Sequence, residues 1–583
     1  MAGLQKQSYL KGAAILVMAN FTVKIIGAVF KIPLANIIGE KGMALFSTAY
    51  NLYAVLFVIA TAGLPVAVSK MVSECVAKNR HAEAKKIFHA AMTLLTAIGL
   101  LGAAVMFFGA RIFADLIVVS PDSYLGILAI SPAIFFVAVV SAFRGFFQGH
   151  SNMTPTALSE IAEALGKLVI GLLLAYLLLP YGLPNAAAGA VLGVTAGAFF
   201  ACIIMFITYA VNQNKTSAVM MSTGTARPMK QILWELLKIA VPITIGAAVS
   251  SLTNIIDMVM IRQRLQSITV TPELFQTLTN YFGIPQLEAV IGELMQVNPS
   301  EILYGSYSGF AIPMFNLPPT IVMALSMSVV PAISGAFALK NKNQARRLTE
   351  STVRITTMFA VPCAVGLSVL SMPILTAVYN NARAQSMLAI LSYAVIFVCL
   401  VSVTTAILQA SGNVMLPVRN MLIGGVIKIV TNYVFIAIPS IHINGAPIST
   451  NLCYLTIAVL NILAIRRIIK PEFSFVEFIV KPVASAIVMG FGAFFSYQAA
   501  ARLLEAPQIT TLVEFLPQSY PITPVDSGVR MKTVFALCIA IGAGAVLYAI
   551  MLFLLRSVKR IDVEMLPKGE KIAAVLDKFH LLS

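Results

Sequence analysis

This sequence has little charge. Only 11% of its 583 residues are Asp, Glu, Lys or Arg, against roughly 25% in a soluble domain. A chain so poor in charge cannot clothe a water-facing surface, which excludes an ordinary soluble fold. Tryptophan occurs once and histidine five times, and no H-E-x-x-H pair is present, which argues against zinc hydrolase chemistry. No Walker-type glycine loop appears, so ATP hydrolysis is not expected. The six cysteines, Cys75, Cys202, Cys363, Cys399, Cys453 and Cys538, form no C-x-x-C pair. They read as small core hydrophobes rather than metal ligands. No stripe of arginine and aromatic residues of the kind that binds single-stranded nucleic acid is visible, so nucleic acid is not an expected partner.

What the chain does have is apolar length. Hydrophobic residues make up 59% of it, in blocks of about 20, the length that crosses a ~30 Å hydrocarbon core. Backbone amides cannot stay unpaired in lipid, so these blocks must be helices. Fourteen spans are predicted, at about 12–35, 43–66, 87–109, 123–145, 156–180, 185–210, 233–261, 304–335, 352–373, 386–409, 418–438, 445–466, 479–500 and 532–555. Lys6 and Lys11 precede the first block without a cleavage signal, which reads as a retained helix. The stretch 286–296, QLEAVIGELMQ, has helical periodicity and reads either as a helix on the membrane surface or as an ordinary loop.

The net charge is +17, and its distribution is uneven. Of the 40 basic residues, 28 fall in the tails and loops on the side of the N-terminus, nine on the opposite side and three inside spans. Basic residues collect in cytoplasmic loops. Both termini are therefore expected in the cytoplasm, with anionic lipid headgroups as contacts of the basic loops.

The sequence also repeats itself. FFQGHSNMTPTALSEIAEALGKL follows the fourth span and ILQASGNVMLPVRNMLIGGVIKI follows the tenth. Gln148, Asn152 and Lys167 match Gln409, Asn413 and Lys428 at an offset of 261. Pro155 and Pro417 sit near the same place, suited to the first turn of a helix. Asn185 matches Asn444 at an offset of 259. An even repeat of six spans keeps one orientation, which makes this a parallel repeat about the membrane normal. The expected architecture is all-α: a lobe at 1–215, a second at 230–470, an unpaired helix pair at 479–555 and a cytoplasmic tail at 556–583. A substrate cavity between such lobes, opened alternately to each side, is the expected mechanism.

Three segments carry a family resemblance: KIIGAVFKIPLANIIGEKGMALF (24–46), GLPVAVSKMVSE (63–74) and RGFFQGHSNMTPTALSEI (144–161). They resemble the stage V sporulation protein B family, a branch of the multidrug/oligosaccharidyl-lipid/polysaccharide exporter superfamily. The resemblance covers nearly the whole chain. It implies that an undecaprenyl-pyrophosphate-linked saccharide is flipped from the cytoplasmic to the outer leaflet. No cofactor is expected, with Na⁺ or H⁺ coupling left open; the lipid-linked glycan and membrane lipids are the expected partners, with a monomer and association with glycan-synthesis enzymes as open alternatives.

Ionisable residues inside the membrane each cost at least ~2.5 kcal/mol on insertion scales, so each needs a reason. Lys24 and Lys31 lie two turns apart on one face of the first span, a face suited to a pyrophosphate. The lipid II flippases carry arginines on their first span, and lysines stand here instead. Glu160, Glu163 and Lys167 share a stripe of the fifth span, where Glu163 and Lys167 are spaced for an ion pair. Lys428 has no acid one turn before it, which favours a substrate-facing role with Asn432 one turn on. Asp257, with Ser250, Asn254 and Thr253, marks the seventh span as a site for a coupling ion or for a pair with Arg262 or Arg264. Pro318 and Pro319 remove two backbone donors from the eighth span and mark a gate hinge. Two rival functions remain. A cation-coupled drug antiporter would be repelled by lysines in the first span. A polymerase or ligase would need a catalytic cluster in a sizeable external loop, where His442 is the only histidine.

Overall fold

The computed structural model describes residues 9–78, 80–216, 227–267, 299–338, 341–413, 415–438, 440–472, 474–509 and 527–559. Among these, every regular element is a helix. The 286–296 stretch and the tail beyond 559 lie outside the described residues. The chain divides into two compact units, Met1–Gln263 and Arg264–Ser583.

The first unit holds α1 (Tyr9–Thr61), α2 (Leu64–Ala77), α3 (His81–Ile112), α4 (Tyr124–Gly149), α5 (Thr154–Leu178), α6 (Leu183–Thr216) and nearly all of α7 (Met229–Ser267). The sequence reading begins the second lobe at 230, so the compact unit takes in one helix more. Helix α1 contains the first predicted span and most of the second, which ends in α2, and breaks at Gly39, whose φ of +62° is open to glycine and strained for other residues. The second unit holds α8 (Pro299–Gly305), a π-helical turn (Ser306–Ala311) and α9 (Ile312–Ala338). There follow α10 (Lys342–Val369), α11 (Ser371–Tyr379), α12 (Gln385–Ser392), α13 (Ala394–Ala410), α14 (Met415–Ile436), α15 (Gly445–Ile468), α16 (Lys481–Leu504) and α17 (Ser527–Leu554).

Every predicted span falls on helix. By length and composition, nine helices among the described residues can cross a membrane, or ten with the bent pair α12 and α13, which meet at 41°. That test counts Met18–Ala77 as one run, although it contains two predicted spans. The helices α7, α9 and α14 have 39, 27 and 22 residues and fall outside it. The count of fourteen is not reached by this criterion.

The repeat is legible in the backbone. After α4, Ser151 turns left-handed at φ +57°, and after α13, Gly412 does so at +86°. The amide of Asn152 donates to the Phe147 carbonyl at 3.0 Å, and the amide of Asn413 donates to the Leu408 carbonyl at 3.0 Å. Ser151 and Gly412 donate in turn to Gln148 and Gln409. All three correspondences keep the offset of 261. This is one helix-ending motif, in which a left-handed residue turns two amides back onto orphan carbonyls, built twice.

Each unit also fastens the start of one long helix with charge, α3 in the first and α10 in the second. In the first, Glu83 is 2% exposed and binds both Arg80, at 3.1 Å, and Arg227. Arg227 also binds Glu235, and its carbonyl accepts from Lys86 at 2.6 Å. The hydrogen bond to Glu83 holds the Arg227 guanidinium above the ordinary arginine range. In the second, Arg346 binds Glu350 at 3.0 Å and Glu472, while Glu477 binds Arg354 at 3.6 Å and Lys559 at 2.6 Å.

Candidate substrate site

Helices α5 and α6 approach through glycine. A Cβ on Gly166 would lie 2.7 Å from the Gly197 Cα, and one on Gly193 would lie 2.3 Å from the Gly171 Cα. Without a hydrophobic force between helices in lipid, such small-residue contacts let backbones close up. The approach fixes Lys167, because Cβ atoms on Gly193 and Gly197 would sit 3.0 Å and 3.1 Å from its carbonyl and amide. It also leaves room for Phe30, whose ring would lie 2.9 Å from a Cβ on Gly171.

The Lys167 ammonium faces aromatic rings. It lies 4.6 Å from the Tyr50 ring centroid, 4.9 Å from that of Phe30 and 6.0 Å from that of Phe46. Phe30 comes from the first half of α1, while Phe46 and Tyr50 come from the second, beyond the Gly39 break. Phe46 and Tyr50 are stacked at 5.8 Å with 14° between planes, and Tyr53 and Phe57 continue the row. Lys31, half-buried beside Phe30, lies close enough to Lys167 for the two charges to repel. Among the described residues, no carboxylate lies within ion-pair distance of Lys31 or Lys167.

Glu163 is engaged elsewhere. Arg144 of α4 binds it at 3.0 Å and donates to the Ser159 hydroxyl at 3.0 Å. The expected Glu163–Lys167 pair is thus replaced by one that ties α4 to α5. Glu160, one turn earlier, has a buried Oε2 with no hydrogen-bond partner. The structure therefore brings Lys31, Lys167, Glu160 and Glu163 into one region of the first unit. Lys24 is half-buried two turns before Lys31.

The other predicted residues lie apart from this cluster. Asp257 is half-buried on α7, near the point where Asn51 donates to the Met258 sulfur at 3.8 Å. Arg262 is 1% exposed and donates to the Ala44 carbonyl at 3.5 Å. Arg264 donates to the Tyr433 carbonyl at 3.3 Å and stacks on its ring at 3.8 Å. Lys428 is buried on α14 of the second unit, with buried Asn432 one turn on. On the same helix, Asn420 donates to Asn461 at 2.8 Å, and Asn461 donates to Thr404 and Thr405. Pro318 and Pro319 are buried, and α9 runs without interruption through both. The irregular turn is the π-helical one at Ser306–Ala311.

Arg144, the aromatic wall and the Glu83 cluster escape sequence reasoning. The signal for the wall is present, since Phe46, Tyr50, Tyr53 and Phe57 recur at helical spacing. A stripe of that kind, however, reads first as core.

These features define a polytopic α-helical membrane transporter. The chain belongs to the polysaccharide biosynthesis protein family, whose model matches residues 9–337, and the MatE family model matches residues 307–434. It is similar to stage V sporulation protein B of Bacillus subtilis (strain 168), with 25% identity covering 84% of this chain and 89% of that protein. It is also similar to lipid II flippase MurJ of the same strain, with 26% identity covering 79% of this chain and 82% of that protein. A solved structure of lipid II flippase MurJ in its inward closed conformation shares the fold, with a TM-score of 0.61. Its identity is 15%, and the match covers 92% of this chain and 99% of that one. The chain is thus a member of the multidrug/oligosaccharidyl-lipid/polysaccharide exporter superfamily, with transporters rather than catalytic enzymes as relatives.

Proposed function

We propose that this protein flips an undecaprenyl-pyrophosphate-linked saccharide from the cytoplasmic to the outer leaflet of the bacterial plasma membrane by alternating access, both termini being cytoplasmic. The observation that carries this reading is the pair Lys31 and Lys167, two cations inside a membrane lobe, neither in an ion pair among the described residues; Glu163, whose charge acts on Lys167, is bound by Arg144. An intramembrane charge without an ion-pair partner is expensive and marks a functional site. Two adjacent ones attract an anion, and lysine serves a phosphate as a point charge. Lys24 extends the cationic face of α1, and Lys428 offers a further cation in the second unit. The names of the flippase relatives support a lipid-linked substrate. Asp257, Glu160 and Glu163 are the candidate carboxylates for Na⁺ or H⁺ coupling, with Glu163 bound to Arg144. The π turn at Ser306–Ala311 and the prolines Pro318 and Pro319 are the candidates for a gate hinge.

The MatE match at 307–434 favours a second reading, cation-coupled drug export. The paired lysines oppose it, because they repel cationic drugs. Purified protein in liposomes with a fluorescent undecaprenyl-pyrophosphate disaccharide separates the two. The proposal expects the label to move between leaflets with no covalent change. Drug-driven ion exchange without lipid movement would establish the second reading instead.

A further inference from the structure

We infer that Tyr50, with Phe30 and Phe46, is a positioning residue that keeps the Lys167 ammonium charged without neutralising it. The inference rests on the headgroup-binding reading above and deepens it.

A buried ammonium needs something in place of its lost hydration. A carboxylate would supply this and cancel the charge, leaving nothing for an anionic ligand. An aromatic face supplies it through the ring quadrupole and carries no net charge. Lys167 has three such faces within 6.0 Å and no ion pair. The carboxylate best placed to neutralise it, Glu163 one turn earlier, is held by Arg144 at 3.0 Å. The positive field of Lys167 and Lys31 therefore stays available. The wall is also rigid. Phe30 is wholly buried and Phe46 is 1% exposed, each from a different half of α1. Tyr50 is stacked on Phe46, and the Lys167 backbone is pinned by Gly193 and Gly197. Both the cation and its seat are fixed before any ligand arrives.

Because Tyr50 acts through Lys167, its effect on anion binding must vanish when Lys167 is absent, and a double-mutant cycle reads this directly. The probe is farnesyl diphosphate, titrated into the full chain in lipid nanodiscs. Tyr50→Leu is expected to weaken binding about tenfold, as Lys167→Gln does, while Tyr50→Phe stays within twofold of the parent. In the Lys167→Gln background, Tyr50→Leu is expected to change nothing further. An equal tenfold loss in that background, or no loss in the parent background, would overturn the inference. Phe46→Leu repeats the cycle should Tyr50→Leu fail to fold. A ligand-free readout stands beside it: the ¹³C-methyl signal of reductively methylated Lys167, assigned by its loss in Lys167→Arg. Ring currents should displace this signal, and Tyr50→Leu should move it part of the way back toward the ordinary lysine position, Phe30 and Phe46 remaining. If the parent binds no diphosphate, the headgroup reading fails by itself. The aromatic seat then stands if the displaced signal is present and falls if it is not.

Discussion

Arg144 of α4 binds Glu163 of α5 at 3.0 Å, with side-chain exposures of 12% and 22%. The pair joins two helices and engages the carboxylate whose charge also acts on Lys167. Removing one partner of a buried pair costs about 3–5 kcal/mol because the other charge is left uncompensated. Arg144→Gln should therefore lower thermal stability and also cut lipid flipping at least fivefold, since Glu163 becomes free to neutralise Lys167. Arg144→Gln with Glu163→Gln should recover most of both losses. A double variant as poor as the single one in both assays would show that the pair does not act this way.

Lysine neutralisation should sort the cationic residues. Lys31→Gln and Lys167→Gln are each expected to reduce flipping at least tenfold with normal membrane insertion. Lys24→Ala is expected to abolish it while the fold is retained, because a cation on that face of α1 would be lost where the headgroup is proposed to bind. Initial rates at matched protein levels in liposomes test all three. Full activity in Lys24→Ala would remove that residue from the site.

Much of the architecture can be read from hydropathy alone, because lipid permits so few alternatives. Every predicted span lies on helix, and the 261-residue offset reappears in the hydrogen bonds after α4 and α13. The partners of charged side chains were harder to read. Local spacing joins Glu163 to Lys167, whereas the structure joins Glu163 to Arg144, nineteen residues away and on another helix. The seat of Lys167 draws on both halves of α1, and the break at Gly39 decides which rings meet. Neither fact has a local signature, because both depend on how each helix is rotated about its axis. The allocation of α7 to the first unit has the same origin: its start is held to α3 by Glu83 and Arg227, a pairing across 144 residues.

That clasp makes a prediction of its own. Glu83 is buried between Arg80 and Arg227, so Glu83→Gln leaves two guanidiniums without their shared anion and should cost about 3 kcal/mol of stability. Glu235→Gln removes a more exposed partner and should cost ~1 kcal/mol or less. Thermal unfolding in detergent compares them. Equal losses would mean that burial does not set the strength of this cluster.

Pro318 and Pro319 sit in a continuous helix, where each ring removes a backbone donor and crowds the carbonyl four residues earlier. Replacing both with alanine should raise the unfolding temperature and, if bending of α9 gates transport, slow flipping at least fivefold. Unchanged transport in the double variant would assign the bend to the Ser306–Ala311 turn.

The central claim is that two unneutralised lysines in the first unit receive a diphosphate headgroup and pass it across the membrane. Its most direct measurement is the rate at which a fluorescent undecaprenyl-pyrophosphate disaccharide becomes accessible to an impermeant quencher in liposomes containing the purified chain. The expected result is protein-dependent flipping that falls at least tenfold in Lys31→Gln and is competed by undecaprenyl pyrophosphate but not by undecaprenol. Flipping that is absent from the parent, or that survives undiminished in a Lys31→Gln, Lys167→Gln variant, would contradict it.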